Sequence, residues 1–241
     1  MKWRSVLALA GIAAILICLS DCETLTALQH NLEQIQIKQD QDPDNWDLKA
    51  IDTARSVDYL SDLEKNVILE VNKVRSDPAK YANLYVKPRL SQYSGLTRSS
   101  GRTEVITAEG KAAVEECIQV LMNRKGVKIL LPSLPLSLAA RDHVADTGPK
   151  GIVGHNGSDR STPASRVARH EAAISYIGEN IDYGDSTARE ITLSLLIDDG
   201  VPSRGHRENI LRQEYNAIGV AIGYHSKYTQ MCVQDFARIG P

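Results

Sequence analysis

Cysteine is scarce in this 241-residue chain, with four at positions 18, 22, 117 and 232. No CxxC or zinc-type cysteine spacing occurs, which argues against a cysteine metal site. Charge of one sign is lacking as well. The formal net charge is −2, so there is no broad basic face of the kind nucleic acid requires. There is no GxSxG elbow, no phosphate loop and no nucleophilic cysteine in a reactive context, and "HEAAI" at 170–174 lacks the second histidine of a zincin helix. Internal repeats and low-complexity blocks are absent. At 42% hydrophobic and 24% charged, the chain can bury one substantial core and leave an extension over.

A long apolar run is missing too. The one near the start, Val6 to Leu19, spans 14 residues behind Lys2 and Arg4, which is short of the roughly 20 a transmembrane helix needs. The layout is that of a secretory signal peptide, residues 1–21, and predicts export. Its removal leaves a net charge of −3. The end of the run, "LSDC", resembles the lipobox of bacterial lipoproteins, with Asp21 where Gly, Ala or Ser is usual. The expectation is an extracytoplasmic, cell-envelope protein, either lipidated at Cys22 and so tethered to a membrane, or secreted. Cys117 and Cys232 then remain in an oxidising compartment, either as buried apolar thiols or as one disulfide.

Residues 22–60 read as a tether. Leu25, Leu28, Leu32 and Ile35 can form a short amphipathic helix, which "QDQDPDN" ends. The globular part is expected over 61–241. It opens with the capping box Ser61/Glu64 and a core helix through Leu63, Val67, Val71 and Val74, stopped at Asp77-Pro78. "AKYANLYV" is a shorter helical piece, residues 87–107 a Ser-, Arg- and Gly-rich loop, and Val114, Cys117, Ile118 and Leu121 mark a second core helix. Further helices are expected after Pro135, from the cap Thr162, and from Thr187 with Glu190 completing a capping box. "NAIGVAIGYH" and "KYTQMCVQDFA" alternate as two strands joined near Ser226-Lys227, and "YIGENIDYG" is a third. Helices with a late antiparallel sheet make an α+β sandwich.

Two histidine turns, "GHNGSD" at 154–159 and "GHREN" at 205–209, flank "GEN" at 178–180. A His, a Glu and a His beside glycines suit a metal site or acid–base work. His143 reads as a half-buried packing residue, His170 and His225 as surface residues, and Arg207 as a donor to nearby carbonyls or to Asp198. Asn156-Gly157-Ser158 matches a glycosylation sequon by chance.

"GHNGSDRSTP", "IGENIDYG", "RGHRENIL" and "YTQMCVQDFA", in that order, resemble the successive motifs of the CAP superfamily (cysteine-rich secretory proteins, antigen 5 and pathogenesis-related 1), in its bacterial SCP-like branch. The resemblance runs from Leu63 to Ala237. It implies a CAP-type α-β-α sandwich with a small antiparallel sheet between helices. It also implies a cleft carrying two histidines and two acidic residues, with a divalent metal such as zinc in some members. Carried over, the cleft comprises His155, Glu179 and His206, completed by Asp199 in preference to Asp198, with Glu208 as a substitute; the metal ligands are His155, His206 and Glu179. The favoured function is a binding or interaction module for a protein, lipid or cell-wall ligand, with no nucleic acid. A metal-dependent hydrolase of peptide or cell-wall material and a lipid- or sterol-binding protein are the alternatives.

Overall fold

The computed structural model describes residues 43–100, 103–170 and 174–240, together with Gln29. The signal segment 1–21, Cys18, the lipidation residue Cys22 and, Gln29 apart, the amphipathic stretch 25–35 lie outside the described residues. Among the described residues, no helix is long and apolar enough to cross a membrane. The chain divides into two compact units, Met1–Leu48 and Lys49–Pro241. The globular unit therefore begins before the expected Ser61. Within 49–60, Ile51, Ala54 and Leu60 are buried, and Asn72 Nδ2 donates to the Ile51 carbonyl at 3.0 Å.

Helix α1 (Asp62–Ser76) starts as its sequence dictates: Ser61 accepts from the Glu64 amide, and Glu64 answers the Ser61 amide at 2.7 Å. It buries Val67, Val71 and Val74 and stops at Asp77, because the residue before proline is pushed out of the helical region. A short α2 (Pro78–Tyr81) continues into looser helical turns over Ala82–Val86 and Lys87–Gln92. The stretch expected as a loop then forms an antiparallel sheet of β1 (Tyr93–Ser94), β2 (Thr97–Ser100) and β3 (Thr103–Ile106). Gly95, at φ +60°, supplies the left-handed turn between β1 and β2. The described side chains of β3 are all exposed, so no apolar alternation announces these strands.

Helix α3 (Lys111–Asn123) buries Val114, Cys117, Ile118 and Leu121. After β4 (Leu131–Pro132) come α4 (Leu134–Thr147), capped by Ser133, and α5 (Pro163–Val167), capped by Thr162. Strand β5 (Ile174–Tyr183) leads to α6 (Ala188–Ile197) and α7 (Gly205–Leu211), and the chain closes with β6 (Ala217–His225) and β7 (Thr229–Ile239). Thr187 caps α6, but Glu190 does not return the bond; its carboxylate pairs with Arg89 instead.

The main sheet has the order β4-β6-β7-β5. Its three long strands are antiparallel as expected, and the short β4 adds a parallel pairing to β6. Helix α4 covers one face, where Ala140 meets Ile181, Ala221, Met231 and Val233, and Leu136 and Ala139 meet Ala217 and Ala237. It lies so close at Gly219 that a Cβ there would stand 2.2 Å from the Leu136 backbone. Helices α1, α6 and α7 cover the other face, completing the α-β-α sandwich. Buried Arg75 fastens this layer: its Nη1 donates to the carbonyls of Ile210 and Arg212 at 2.7 and 2.9 Å, and its Nη2 to that of Tyr215 at 3.1 Å. The carbonyls left unpaired at the end of α7 are thereby satisfied.

Cys117 and Cys232 are free, buried thiols, so the disulfide left open by the sequence is not formed. Burial pushes Cys117 up to about 12 and Cys232 well above the usual thiol range, which makes both unreactive. His225 is fully buried rather than at the surface. Its ring bonds the Ile152 carbonyl and accepts from the amides of Lys227 and Tyr228, closing the β6–β7 turn.

Candidate functional site

β5 is the edge strand of the sheet, and the site is built around it. Strand alternation sends Ile181 into the α4 layer, Glu179 with it, and Asn180 and Asp182 to the opposite side.

On the α4 side, Glu179 is 1% exposed at its side chain. Its Oε1 meets His155 Nδ1 at 2.8 Å and its Oε2 accepts from Arg166 Nη2 at 2.5 Å. The turn carrying His155 is pinned at three points. The Gly154 amide donates to the Tyr183 hydroxyl at 2.9 Å, His143 Nε2 bonds the Gly154 carbonyl at 2.9 Å, and Arg166 Nη1 donates to the His155 carbonyl at 3.0 Å. His143 is thus buried and structural, while the His155 side chain itself is 49% exposed. Beneath Glu179 lies Asp235, wholly buried; burial, then the neighbouring Glu179 charge, pushes its carboxyl well above the usual range.

On the other side, Asp198 ends α6 in a left-handed conformation, φ 57°. Its Oδ1 meets His206 Nδ1 at 2.6 Å and its Oδ2 accepts from the His206 amide at 2.9 Å. The turn from 198 to 205 closes tightly, with the Val201 amide on the Asp198 carbonyl and the Arg204 amide on the Val201 carbonyl. Arg204 clamps it by bonding the Asp198 carbonyl, Glu109 and Glu116. Arg207 donates to the Leu196 and Ile197 carbonyls, as expected, and pairs through both Nη atoms with Glu116.

The acidic partner of His206 is therefore Asp198 and not the favoured Asp199. The Asp199 carboxylate turns away to accept from the amides of Ala108 and Glu109, at 2.6 and 2.8 Å. Glu208 is no substitute, being paired with Arg124 at the surface. Two asparagines tie α7 to β5: Asn180 Nδ2 donates to the His206 carbonyl at 3.0 Å, and Asn209 Nδ2 donates to Asn180 Oδ1 at 2.9 Å and to the Glu179 carbonyl at 3.3 Å.

Each imidazole has Nδ1 facing a carboxylate, so that in the neutral ring Nδ1 is the N–H and Nε2 carries the lone pair. Glu179 has both oxygens engaged within the protein and is not available as a ligand. Among the described residues, no group of three or more His, Cys, Asp or Glu side chains is arranged to hold a metal ion. Of the expected set of His155, His206 and Glu179, His155 and Glu179 are paired with each other, while His206 is paired with Asp198.

Beside His206 opens a cavity of about 390 Å³, within the range of small-ligand sites. Asp198 and His206 line it, together with Asp182 and Asp185, which the sequence reading overlooked. Burial, then the charge of Asp185, pushes Asp182 up to about 8, and burial raises Asp185 as well. The two acids at i and i+3 in "DYGD" were the available signal. Arg166, Glu116 and Asp235 were also missed, since partners this distant in sequence leave no local pattern.

No curated protein matches the chain. Among solved structures, an outer surface protein from Borrelia burgdorferi is similar at 17% identity and a TM-score of 0.41, over 47% of this chain and 80% of that one. An extracellular protein containing a SCP domain from Bacillus anthracis is similar at 23% identity and a TM-score of 0.40, over 46% of this chain and 34% of that protein. The family model of the cysteine-rich secretory proteins, CAP, matches residues 68–236, which takes in most of α1, both histidine turns, β5 and most of β7. With that span and these paired histidines at its centre, the chain belongs to the CAP family.

Proposed function

We propose that this CAP-domain protein is an extracytoplasmic binding module that takes its ligand into the cavity beside His206. The observation that carries the reading is the Asp198–His206 pair on the cavity wall, with its Nε2 lone pair uncommitted and no serine or cysteine among the described hydrogen-bond partners of either imidazole. A fixed acceptor next to a cavity of ligand size is recognition chemistry. The charged wall, which includes Arg89, Arg98, Asp182 and Asp185, counts against an acyl chain or a sterol as the occupant. The charged start and short apolar run support export, with Cys22 as the membrane anchor; mass spectrometry of the native N-terminus is expected to find an acylated Cys22.

A second reading, hydrolysis of peptide or cell-wall material, draws on the same pair, because a histidine backed by an aspartate is also a general base. Co-sedimentation separates the two. The full chain is expected to pellet with isolated peptidoglycan sacculi or with phosphatidylglycerol vesicles, to lose that retention in His206→Ala, and to release no soluble fragments. Fragment release from sacculi that vanishes in His206→Ala would establish the hydrolase. Retention unchanged in His206→Ala would remove the cavity from the function.

A further inference from the structure

We propose that the cavity beside His206 receives an aliphatic ammonium group, of the kind carried by a lysine side chain or a peptide N-terminus, between the carboxyls of Asp182 and Asp185 and the rings of Tyr183 and Tyr228. The assignment rests on the reading of this cavity as the recognition site and names its ligand chemistry.

Carboxyls are numerous in the cavity wall, and most are already answered. Glu190 is met by Arg89 and Arg98. Asp198 is met by His206 and backbone amides, and Asp199 by the amides of Ala108 and Glu109. Asp182 and Asp185 are left. They neighbour each other, and the Asp185 charge helps raise Asp182; among the described residues neither has a Lys, Arg or His within ion-pair distance, and Arg89 and Arg98 act on Asp185 only at longer range. Asp182 is 4% exposed, and its Oδ1 has no hydrogen-bond partner. A buried carboxyl oxygen without a donor is costly and rare in native proteins, and a donor supplied by a ligand removes the cost.

The remaining wall specifies which donor. Tyr183 and Tyr228 lie on the cavity with ring centroids 5.4 Å apart and planes tilted by 44°. Tyrosine faces attract cations, and a carboxyl pair beside them adds hydrogen-bond acceptors. A primary ammonium brings three N–H donors and a positive charge, whereas a quaternary ammonium has no N–H to offer the orphan oxygen. Val105 and Ile106, also in the wall, offer apolar surface to the methylenes behind the amine. Among the described residues no three or more of these acids, histidines or cysteines stand together for a metal ion, whereas the tyrosine faces and apolar wall suit an organic cation.

The test is ¹⁵N NMR titration of the full chain with four probes: Nα-acetyl-lysine amide, alanine amide with its free α-amine, the uncharged Nα-acetyl-norleucine amide, and hexanoate. At least one amine is expected to shift the amides of residues 182–185 and Tyr228 saturably, while norleucine amide and hexanoate do not. Asp182→Asn and Asp185→Asn are each expected to weaken that binding roughly tenfold or more, as loss of a charge-assisted hydrogen bond does. If Asp182→Asn fails to fold, the more accessible Asp185→Asn carries the comparison. A response to the lysine derivative alone identifies a side-chain amine, and to alanine amide alone an N-terminus. Entry of norleucine amide or hexanoate with both amines inert overturns the ammonium assignment and leaves the cavity as the recognition site. If none of the four probes enters, the assignment and the cavity reading both fall.

Discussion

The two sides of β5 treat buried negative charge in opposite ways. On the α4 side, Glu179 is neutralised by Arg166, a permanent cation that also holds the His155 and Ser161 carbonyls. On the α6 side no guanidinium or ammonium group touches the carboxyls of Asp198, Asp182 or Asp185 among the described residues. Backbone amides and an imidazole answer Asp198, and burial raises the carboxyls of both Asp182 and Asp185 above their usual range. The first arrangement is a latch that holds a loop, and the second is a surface whose charge can still be changed by what arrives. One histidine–carboxylate motif thus serves architecture on one side and recognition on the other.

Removal of the latch is expected to have the largest effect. Arg166→Ala strands a buried Glu179 charge and should cost about 3–5 kcal/mol in denaturant unfolding. Asp198→Asn, on the other side, keeps an oxygen that can accept from His206 and strands no cation, and should cost only about 1–2 kcal/mol. Equal losses in the two variants would erase the distinction.

The raised carboxyl of Asp182 gives the α6 side a pH signature. Asp182 in the folded protein holds its proton up to about 8, whereas the unfolded side chain releases it near 3.8. Between those values the folded state binds more protons, so stability falls as pH rises through that window, by at most about 1.4 kcal/mol per pH unit for this group. Asp235, raised by its own burial, acts in the same direction from beneath Glu179. Urea unfolding at pH 5, 6, 7 and 8 should show the fall, and Asp182→Asn should flatten it. A slope unchanged in that variant would assign the whole effect to Asp235 and the α4 side.

The bridge between the sides can be cut at Gly178. A Cβ there would stand 2.3 Å from the Tyr215 hydroxyl and 2.8 Å from Asn209 Oδ1. Gly178→Ala is expected to cost about 1–3 kcal/mol and to disturb His155 and His206 NMR signals together. The smallest effect is a null one: peptide mapping after alkylation should find Cys117 and Cys232 unlabelled in the folded chain and fully labelled, without reductant, once it is unfolded. Labelling that requires reductant would restore the disulfide.

Elements with strong local punctuation were legible in the sequence. Ser61/Glu64, Thr162-Pro163 and the alternating runs at 216–225 and 227–237 marked their helices and strands because caps and strand alternation act within a few residues. The sheet at 93–106 escaped notice because its strands are short and exposed, and the globular start at Lys49 because a few apolar residues between polar ones look like a tether. In the site, His155, Glu179 and His206 were findable from their glycine-flanked motifs. The choice between Asp198 and Asp199 was not, since it turns on which residue adopts the left-handed conformation at the end of α6. Arg166 owes its role to burial, which no residue announces in advance, and "DYGD" marked Asp182 only by its spacing from Asp185.

Arg75 carries a consequence for how this domain can vary. One rigid guanidinium fork gathers the carbonyls of residues 210, 212 and 215, so the chain between His206 and the start of β6 has a length fixed by the reach of that fork. An insertion there would pull at least one carbonyl off a buried cation, while between the ends of β2 and β3, away from the Arg98–Glu190 pair, no such fork is found among the described residues. Sequence length should therefore drift at that hairpin and stay constant behind the second histidine. Loop grafting into this scaffold would succeed at the first place and fail at the second.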